Sequence, residues 1–444
     1  MSRRRQVDPA RLVAFRVLRR IGDQDAYANL ALAAEGAGLE TRDAAFATEL
    51  TFGSCRALGS YDAILERAAG RPVAGLDPAV LDVLRLGTHQ LLAMRVPSHA
   101  AVATSVDLAA TQIGERVAGL VNAVLRKVAA RDWDGWLAEL SAGLDDLDVL
   151  ALATQHPRWI VEAWRDALGD RSPDELRAAL EADNVAPVNH LVVRPGLASV
   201  AELGGTPTRY SPYGAAVPGA PGSIPAVAEG RAGVQDEGSQ LVALALSRVE
   251  APSGLWLDLC AGPGGKAALL AGLAIEQGSR LVASELQPHR AGLVAANLAC
   301  YDGDHEPVTV VADGTRPAWP PASFARVMAD VPCTGLGALR RRPESRWRRQ
   351  PSDLADLVPL QRRLLDSAIA ATRPGGVIAY VTCSPQLAET REVVAARAAG
   401  AELLRAADYL PEVADAAVDD FVQLWPHRHG TDAMFLALLR RTAA

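Results

Sequence analysis

Between Gly233 and the C-terminus, five short apolar runs each end on a residue with chemical use, and helical stretches separate them. LWLDL leads into Cys260, Ala261, Gly262, Pro263, Gly264, Gly265 and Lys266. LVASE ends on Glu285, and VTVVAD ends on Asp313. FARVMAD ends on Asp330, with Pro332 and Cys333 next, and VIAYVTC ends on Cys383. Apolar strands alternating with helices predict a doubly wound α/β sheet. Such sheets bind ligands at the carboxyl ends of their strands, near the reversal of strand order. Five chemically useful ends therefore predict one active site on one edge.

The glycine loop alone leaves the ligand open. Gly262, Gly264 and Ala267 satisfy the G-x-G-x-x-G/A dinucleotide pattern, and Glu285 stands 21 residues beyond Gly264, near the expected acidic position. Glycines let a ligand approach the backbone, and a carboxylate ending the second strand accepts bonds from ribose hydroxyls. A nicotinamide cofactor and S-adenosylmethionine both offer that ribose. A phosphate-binding P-loop is excluded: Cys260 occupies the first glycine position, and Ala267 follows the lysine in place of Ser or Thr.

The cysteines favour S-adenosylmethionine. Carbon 5 of cytosine is a poor nucleophile, so methylation there needs temporary covalent addition at carbon 6, a task for a thiolate. The methylated adduct must then lose its carbon-5 proton and expel the sulfur, which a second group near that proton would assist. A free thiol has a pKa of about 8.5, so its surroundings must activate it. Pro332–Cys333 and Thr382–Cys383, at two strand ends, can supply both groups. The five cysteines show no paired spacing and are scattered relative to the eight histidines, so no metal site is expected.

The rest of the chain reads as two further regions. Residues 8 to about 135 repeat apolar positions at helical spacing, as in RLVAFRVLRRI and PAVLDVLRLGTHQLLAM. HPRWIVEAWRDAL predicts a helix and NHLVVRP a strand, followed by a stretch rich in Gly, Pro and Ala. The expected domains are 1–145 (helical), 146–232 (linker and small α+β subdomain) and 233–444 (α/β). A net charge of -7 is unusual for a nucleic-acid binder. Two arginine clusters answer it: seven arginines in the first 20 residues, and Arg340, Arg341, Arg342, Arg346, Arg348 and Arg349 just beyond Cys333. Trp347, inside the second cluster, is expected to pack beneath the loop, with base stacking as its alternative. Lys127 and Lys266 are the only lysines beside 43 arginines. Lys266 is expected to serve as a compact point charge, and Lys127 as a surface residue. No run approaches the roughly 18 apolar residues of a membrane span, and a cytoplasmic protein is expected.

LDLCAGPGGK, DVPCTGLGALRRRPESRWRR and YVTCSP resemble the motifs of RNA cytosine-5 methyltransferases of the Fmu/Sun (RsmB) type. The resemblance covers most of the chain. The helical domain is similar to the RNA-binding NusB fold through DAAFATELTFGSCR and AGLVNAVLR, and HPRWIVEAW, VQDEGSQLVALAL and PHRHGTDAMF also fit. It implies an all-α NusB-like N-terminal domain, a small α+β segment and an α/β Rossmann-like methyltransferase domain. It also implies that residues 260–266, Glu285, Asp313 and Asp330 line an S-adenosylmethionine site. Cys383 is then the nucleophile, Cys333 assists product release, and the substrate is a cytosine of small-subunit (16S) ribosomal RNA, with no obligatory protein partner. Glu285 stands where the family often has aspartate, and Thr390 where asparagine is common. The arginines of 340–349 would hold RNA phosphates around a base that is single-stranded or flipped out. A cytosine-5 DNA methyltransferase, with the Pro-Cys thiol as nucleophile, is the runner-up, but no Glu-Asn-Val tripeptide occurs. An RNA-binding assembly factor with a silent methyltransferase fold is the alternative outside enzymes.

Overall fold

The computed structural model describes residues 7–219, 221–397 and 399–442; Arg3, Arg4 and Arg5 of the first arginine cluster lie outside them. The chain divides into two compact units. One holds residues up to Arg165 together with Arg171–Asn184 and Leu339–Arg349; the other holds Asp166–Asp170, Val185–Ala338 and the chain from Gln350 onward.

The first unit is helical. Its helices start where side chains cap them: Asp8 accepts from Arg11 N, Asp77 from Ala79 N and Val80 N, and Ser172 from Glu175 N. Pro9, Pro78 and Pro173 occupy first-turn positions, where a missing N–H costs nothing. On the helix Glu115–Val128, Val121, Val124, Leu125 and Val128 recur at one-face spacing and are buried with Leu50, Ile64, Leu84 and Trp136. Lys127 lies on the outer face and donates to the Ala68 carbonyl at 2.9 Å. Helices continue beyond residue 145, through Asp146–Thr154 and Pro173–Ala182, within the same compact unit.

Segment 339–349 is the largest departure from expectation. The Arg346 side chain is fully buried. Its guanidinium donates to Gln155 O at 2.8 Å, Asn184 Oδ1 at 2.7 Å and Asp183 Oδ2 at 2.9 Å. Arg348 donates to the carbonyls of Ile21, Asp25 and Ala26 at 3.3, 3.0 and 2.6 Å, around the C-terminus of the helix Pro9–Gln24. These two expected phosphate ligands are therefore struts of the helical unit, because carbonyls and a buried carboxylate already take up their donors. Trp347 packs, as expected: its Nε1 donates to Arg56 O at 3.1 Å, and its ring lies so close over Gly59 that a Cβ there would stand 2.1 Å from it. The Arg342 guanidinium lies 5.0 Å from the centre of the Tyr27 ring.

The second unit carries two sheets. β1 (Asn189–Val193), β2 (Thr206–Pro207), β3 (Gly214–Val217) and β4 (Ala232–Val234) form an antiparallel sheet in the order β2-β3-β1-β4. The larger sheet contains β5 (Trp256–Asp258), β6 (Leu281–Glu285), β7 (Val308–Val311), β8 (Phe324–Asp330) and β9 (Thr372–Thr382). To these it adds β10 (Ala401–Leu404), β11 (Ala417–Val418), β12 (Phe421–Gln423) and β13 (Phe435–Arg441). Its order is β11-β12-β13-β9-β8-β5-β6-β7, with β10 also on β13. The run β7-β6-β5-β8-β9 is parallel and β13 is antiparallel to β9.

Alternation explains the continuous apolar strands. Trp256, Met328, Val377, Ala379 and Val381 point to one face, against the helices Glu237–Arg248 and Gly265–Glu276. Leu257, Val327, Ala329, Ile378 and Tyr380 point to the other, against the helix Leu354–Ala371. Both faces are covered, so the middles of these strands are mostly apolar on both sides. From β5 the chain moves outward to β6 and β7, then returns to β8 on the other side of β5. That reversal is the switch point, and the glycine loop and Asp330 sit at its carboxyl end.

Candidate functional site

The loop after β5 opens the helix Gly265–Glu276, with Gly264 as its N-cap at φ 113°. Gly262 N donates to Glu285 Oε2 at 3.1 Å, and Gln287 N donates to Oε1 at 2.9 Å, so the β6 carboxylate faces the loop. At 262 a Cβ would stand 2.1 Å from Glu285 Oε2, so any side chain there would push that carboxylate aside. At 264 a Cβ would meet Asn297 and the Val294 backbone at 3.0 Å, on top of the unfavourable φ. Arg290 closes this corner, donating to Gly262 O at 2.7 Å.

Asp258, at the end of β5, went unnoticed in the sequence. It is buried, and among the described residues neither carboxylate oxygen makes a well-formed hydrogen bond, although the Cys260 backbone N–H lies near enough to favour the charged form. Burial pushes its pKa up to about 7, with Asp330 adding to the rise and Lys266 opposing it. Unsatisfied buried acceptors are costly. Beside the close-packed glycines 262 and 264, they fit a ligand bringing amino or hydroxyl donors. Burial also pushes the Cys260 thiol well above the ordinary cysteine value, with Asp258, Asp330 and Glu285 adding to it. Cys260 is therefore a neutral thiol.

Across the switch point, Lys266 Nζ pairs with Asp330 Oδ2 at 2.9 Å. Burial works against the ammonium, but Asp330, Cys383 and Asp258 outweigh it, so its pKa stands above the usual lysine value. Asp313 lies two residues beyond β7, where it accepts from Thr315 N at 2.9 Å and Thr315 Oγ1 at 2.7 Å; these bonds hold its pKa below the usual range. The adjacent Ala312 N donates to Glu285 O at 3.1 Å, which ties the β6 and β7 ends together.

Cys333 and Cys383 follow adjacent parallel strands, and their sulfurs lie 3.4 Å apart. With Cys333 as donor, this contact holds the Cys383 thiol below the ordinary cysteine value; burial and Asp330 oppose the drop, and Lys266 assists it. The same contact, with burial, pushes Cys333 well above that value. With that donor, the shared contact moves the two thiols in opposite directions. Gly337 N donates to Cys383 O at 2.9 Å, and a Cβ on Gly337 would stand 2.1 Å from Ala433 O, so glycine lets the Cys333 loop close against Cys383.

A parallel sheet with a glycine loop at its switch point and a carboxylate ending the neighbouring strand defines a Rossmann-like nucleotide-binding domain. The profile of the family described as 16S rRNA methyltransferase RsmB/F matches residues 243–440, and that of the NusB family matches 8–130. A Mycobacterium tuberculosis protein described as a methyltransferase is 52% identical over 99% of this chain and 98% of its own. The ribosomal RNA small subunit methyltransferase B of Pseudomonas putida is 32% identical over 98% of this chain and 99% of its own. The crystal structure of PH0851 matches with a TM-score of 0.79 at 22% identity, covering 98% of this chain and 99% of that one, a likeness of fold. The chain belongs to the RsmB/F family of 16S rRNA methyltransferases, with a NusB-like helical domain ahead of the methyltransferase domain. Among the described residues, no helix is long and apolar enough to cross a membrane.

Proposed function

We propose that this chain methylates carbon 5 of a cytosine in small-subunit ribosomal RNA, with Cys383 as the nucleophile. The observation that carries this reading is the 3.4 Å sulfur pair, one thiol lowered and the other raised in pKa, beside the Lys266 ammonium. Groups whose surroundings drive their pKa values apart divide acid and base work between them. The proposed S-adenosylmethionine, held by residues 260–266, Glu285, Asp313 and Asp330, supplies an electrophilic methyl group.

Cys383 sulfur, as thiolate, forms a bond to carbon 6 of the ring, and the electron pair moved toward carbon 5 makes that carbon a nucleophile. Carbon 5 takes the methyl group. The carbon-5 proton then passes to solvent water, its electron pair restores the ring double bond, and the carbon 6–sulfur bond breaks to return the Cys383 thiolate. Cys333, in contact with the departing sulfur, assists this last stage. Lys266 offsets the negative charge gathered around Asp330 and Cys383. Arg340, Arg341, Arg342 and Arg349 are the members of the arginine run that we assign to RNA phosphates. The helical domain is assigned to RNA recruitment.

The two cysteines separate in one experiment. Cys383→Ala should abolish both methylation and any covalent RNA adduct. Cys333→Ala should permit attack and methyl transfer, then stall, leaving protein and RNA joined on a denaturing gel with the labelled methyl in the slow band. An adduct that survives Cys383→Ala and vanishes with Cys333→Ala would reverse the roles. Full activity without adduct in both variants would make the thiols structural.

A further inference from the structure

Glu389 takes no part in that chemistry, yet its fully buried carboxylate is the most heavily hydrogen-bonded group near the cysteines. Oε1 accepts from Thr334 N at 2.8 Å and from Gln361 Nε2 at 3.0 Å. Oε2 accepts from Ser384 Oγ at 2.7 Å and from Thr334 Oγ1. Thr334 directly follows Cys333, and Ser384 directly follows Cys383. Gln361 Nε2 also donates to Pro332 O at 2.9 Å, the carbonyl just before Cys333. Tyr380, on β9, fixes the other end by donating to the Glu389 backbone carbonyl at 2.7 Å.

One carboxylate thus grips the residue after each cysteine and, through Gln361, the residue before one of them. A buried carboxylate is tolerated only where donors surround it, and here the donors come from the two loops whose spacing sets the sulfur contact. The Thr334 and Ser384 hydroxyls also lie 3.1 Å apart, and Gly337 N donates to Cys383 O, so the carboxylate gathers loops that already touch. We infer that Glu389 is a positioning residue that holds the Cys333 and Cys383 loops in register, so that one sulfur can donate to the other. The inference rests on the reading that these two thiols do the chemistry, but its test needs neither RNA nor cofactor.

The test is the pH dependence of alkylation by iodoacetamide in the full chain, with Cys383 followed by mass spectrometry. Glu389→Ala should raise the midpoint for Cys383 by about one pH unit, because Cys333 no longer donates to its sulfur. Removing a nearby negative charge would by itself move the midpoint down, so a rise identifies lost register as the cause. Cys333→Ala should give a similar rise, and Glu389→Ala added to it should give no more. Glu389→Gln should stay near wild type, since its oxygen still accepts from Thr334 N and Gln361 while the hydroxyls turn to accept from its amide. If Glu389→Ala does not fold, Glu389→Asp, one methylene too short to reach both loops, must show the rise. A wild-type midpoint in the folded Ala or Asp variant overturns the inference, and so does a rise that adds in full to that of Cys333→Ala. The expected pattern in a protein that forms no RNA adduct would keep the positioning role and reject the methylation mechanism.

Discussion

Replacing Arg346 with alanine decides between a buried strut and a phosphate ligand. The substitution removes three hydrogen bonds and leaves Asp183, fully buried, with His156 as its remaining neighbour at 3.1 Å. Breaking a buried ion pair by deleting one partner typically costs about 3 to 5 kcal/mol, most of it from the stranded charge. His156 modifies that figure in a way that can be measured. Burial, with Arg346 next, holds its pKa at about 4. Without the guanidinium, His156 can take a proton and replace the lost cation. The deficit should therefore be near its full size at pH 8 and smaller at pH 5. Hydrogen exchange read peptide by peptide is the suitable assay, because two units need not unfold together. Protection should fall in 146–184 and 339–349 and persist in β5, β8 and β9. The reasoning fails if Arg346→Ala keeps wild-type protection while the salt dependence of RNA binding becomes shallower, the signature of a lost phosphate contact.

Two further outcomes follow from the same structure. In the wild-type chain, folded His156 has a pKa of about 4 and the unfolded residue about 6.5, so between those values the unfolded state binds more protons. Stability of the helical unit should hold above pH 6.5 and fall by roughly 3 kcal/mol in total on acidification through pH 4; a flat profile in urea titrations over that window would reject it. Gly262→Ala would put a Cβ 2.1 Å from Glu285 Oε2, displacing the carboxylate proposed to meet the ribose. Calorimetry should show S-adenosylhomocysteine bound at least about tenfold more weakly, about 1.4 kcal/mol, and unchanged affinity would remove Glu285 from the cofactor site.

What the sequence made legible was local. The strand ends, the glycine loop and the cysteine pair each lie within a few residues of the apolar run that places them, so period and punctuation located them. What it hid was decided by distant partners. Six arginines within ten residues read as a charged surface, and only the fold brings Asp183, Gln155 and the carbonyls around Asp25 to two of them. Trp347 depends on a glycine at 59, far back in the helical unit. Asp146–Thr154 and Pro173–Ala182 carry ordinary helical patterns that do not reveal which body they join. Glu389 was missed since its donors come from residues 334, 361 and 384, and its own context, LAET, looks like a short turn into the helix Arg391–Arg397.

The chain's uneven use of cations acquires a physical reason at this point. Arg346 spreads one planar fork over three acceptors, and Arg85 grips both oxygens of Asp62 at 2.8 and 2.7 Å. Both tasks join helical segments, and both suit a rigid guanidinium with several donors. Lys266 faces a different problem. It pairs with one carboxylate, Asp330 at 2.9 Å, and also bears on the Cys383 sulfur, which in the proposed mechanism needs room for a substrate. A guanidinium is bulkier and planar, and would take up more of the space between Asp330 and Cys383. An ammonium concentrates its charge in a small volume and stays protonated, because Asp330 and Cys383 favour the charged form. With 43 arginines in the chain, the lysine at 266 marks the place where a compact charge is needed. That place is the end of the glycine loop, at the switch point, where the proposed chemistry requires a cation that does not itself fill the site.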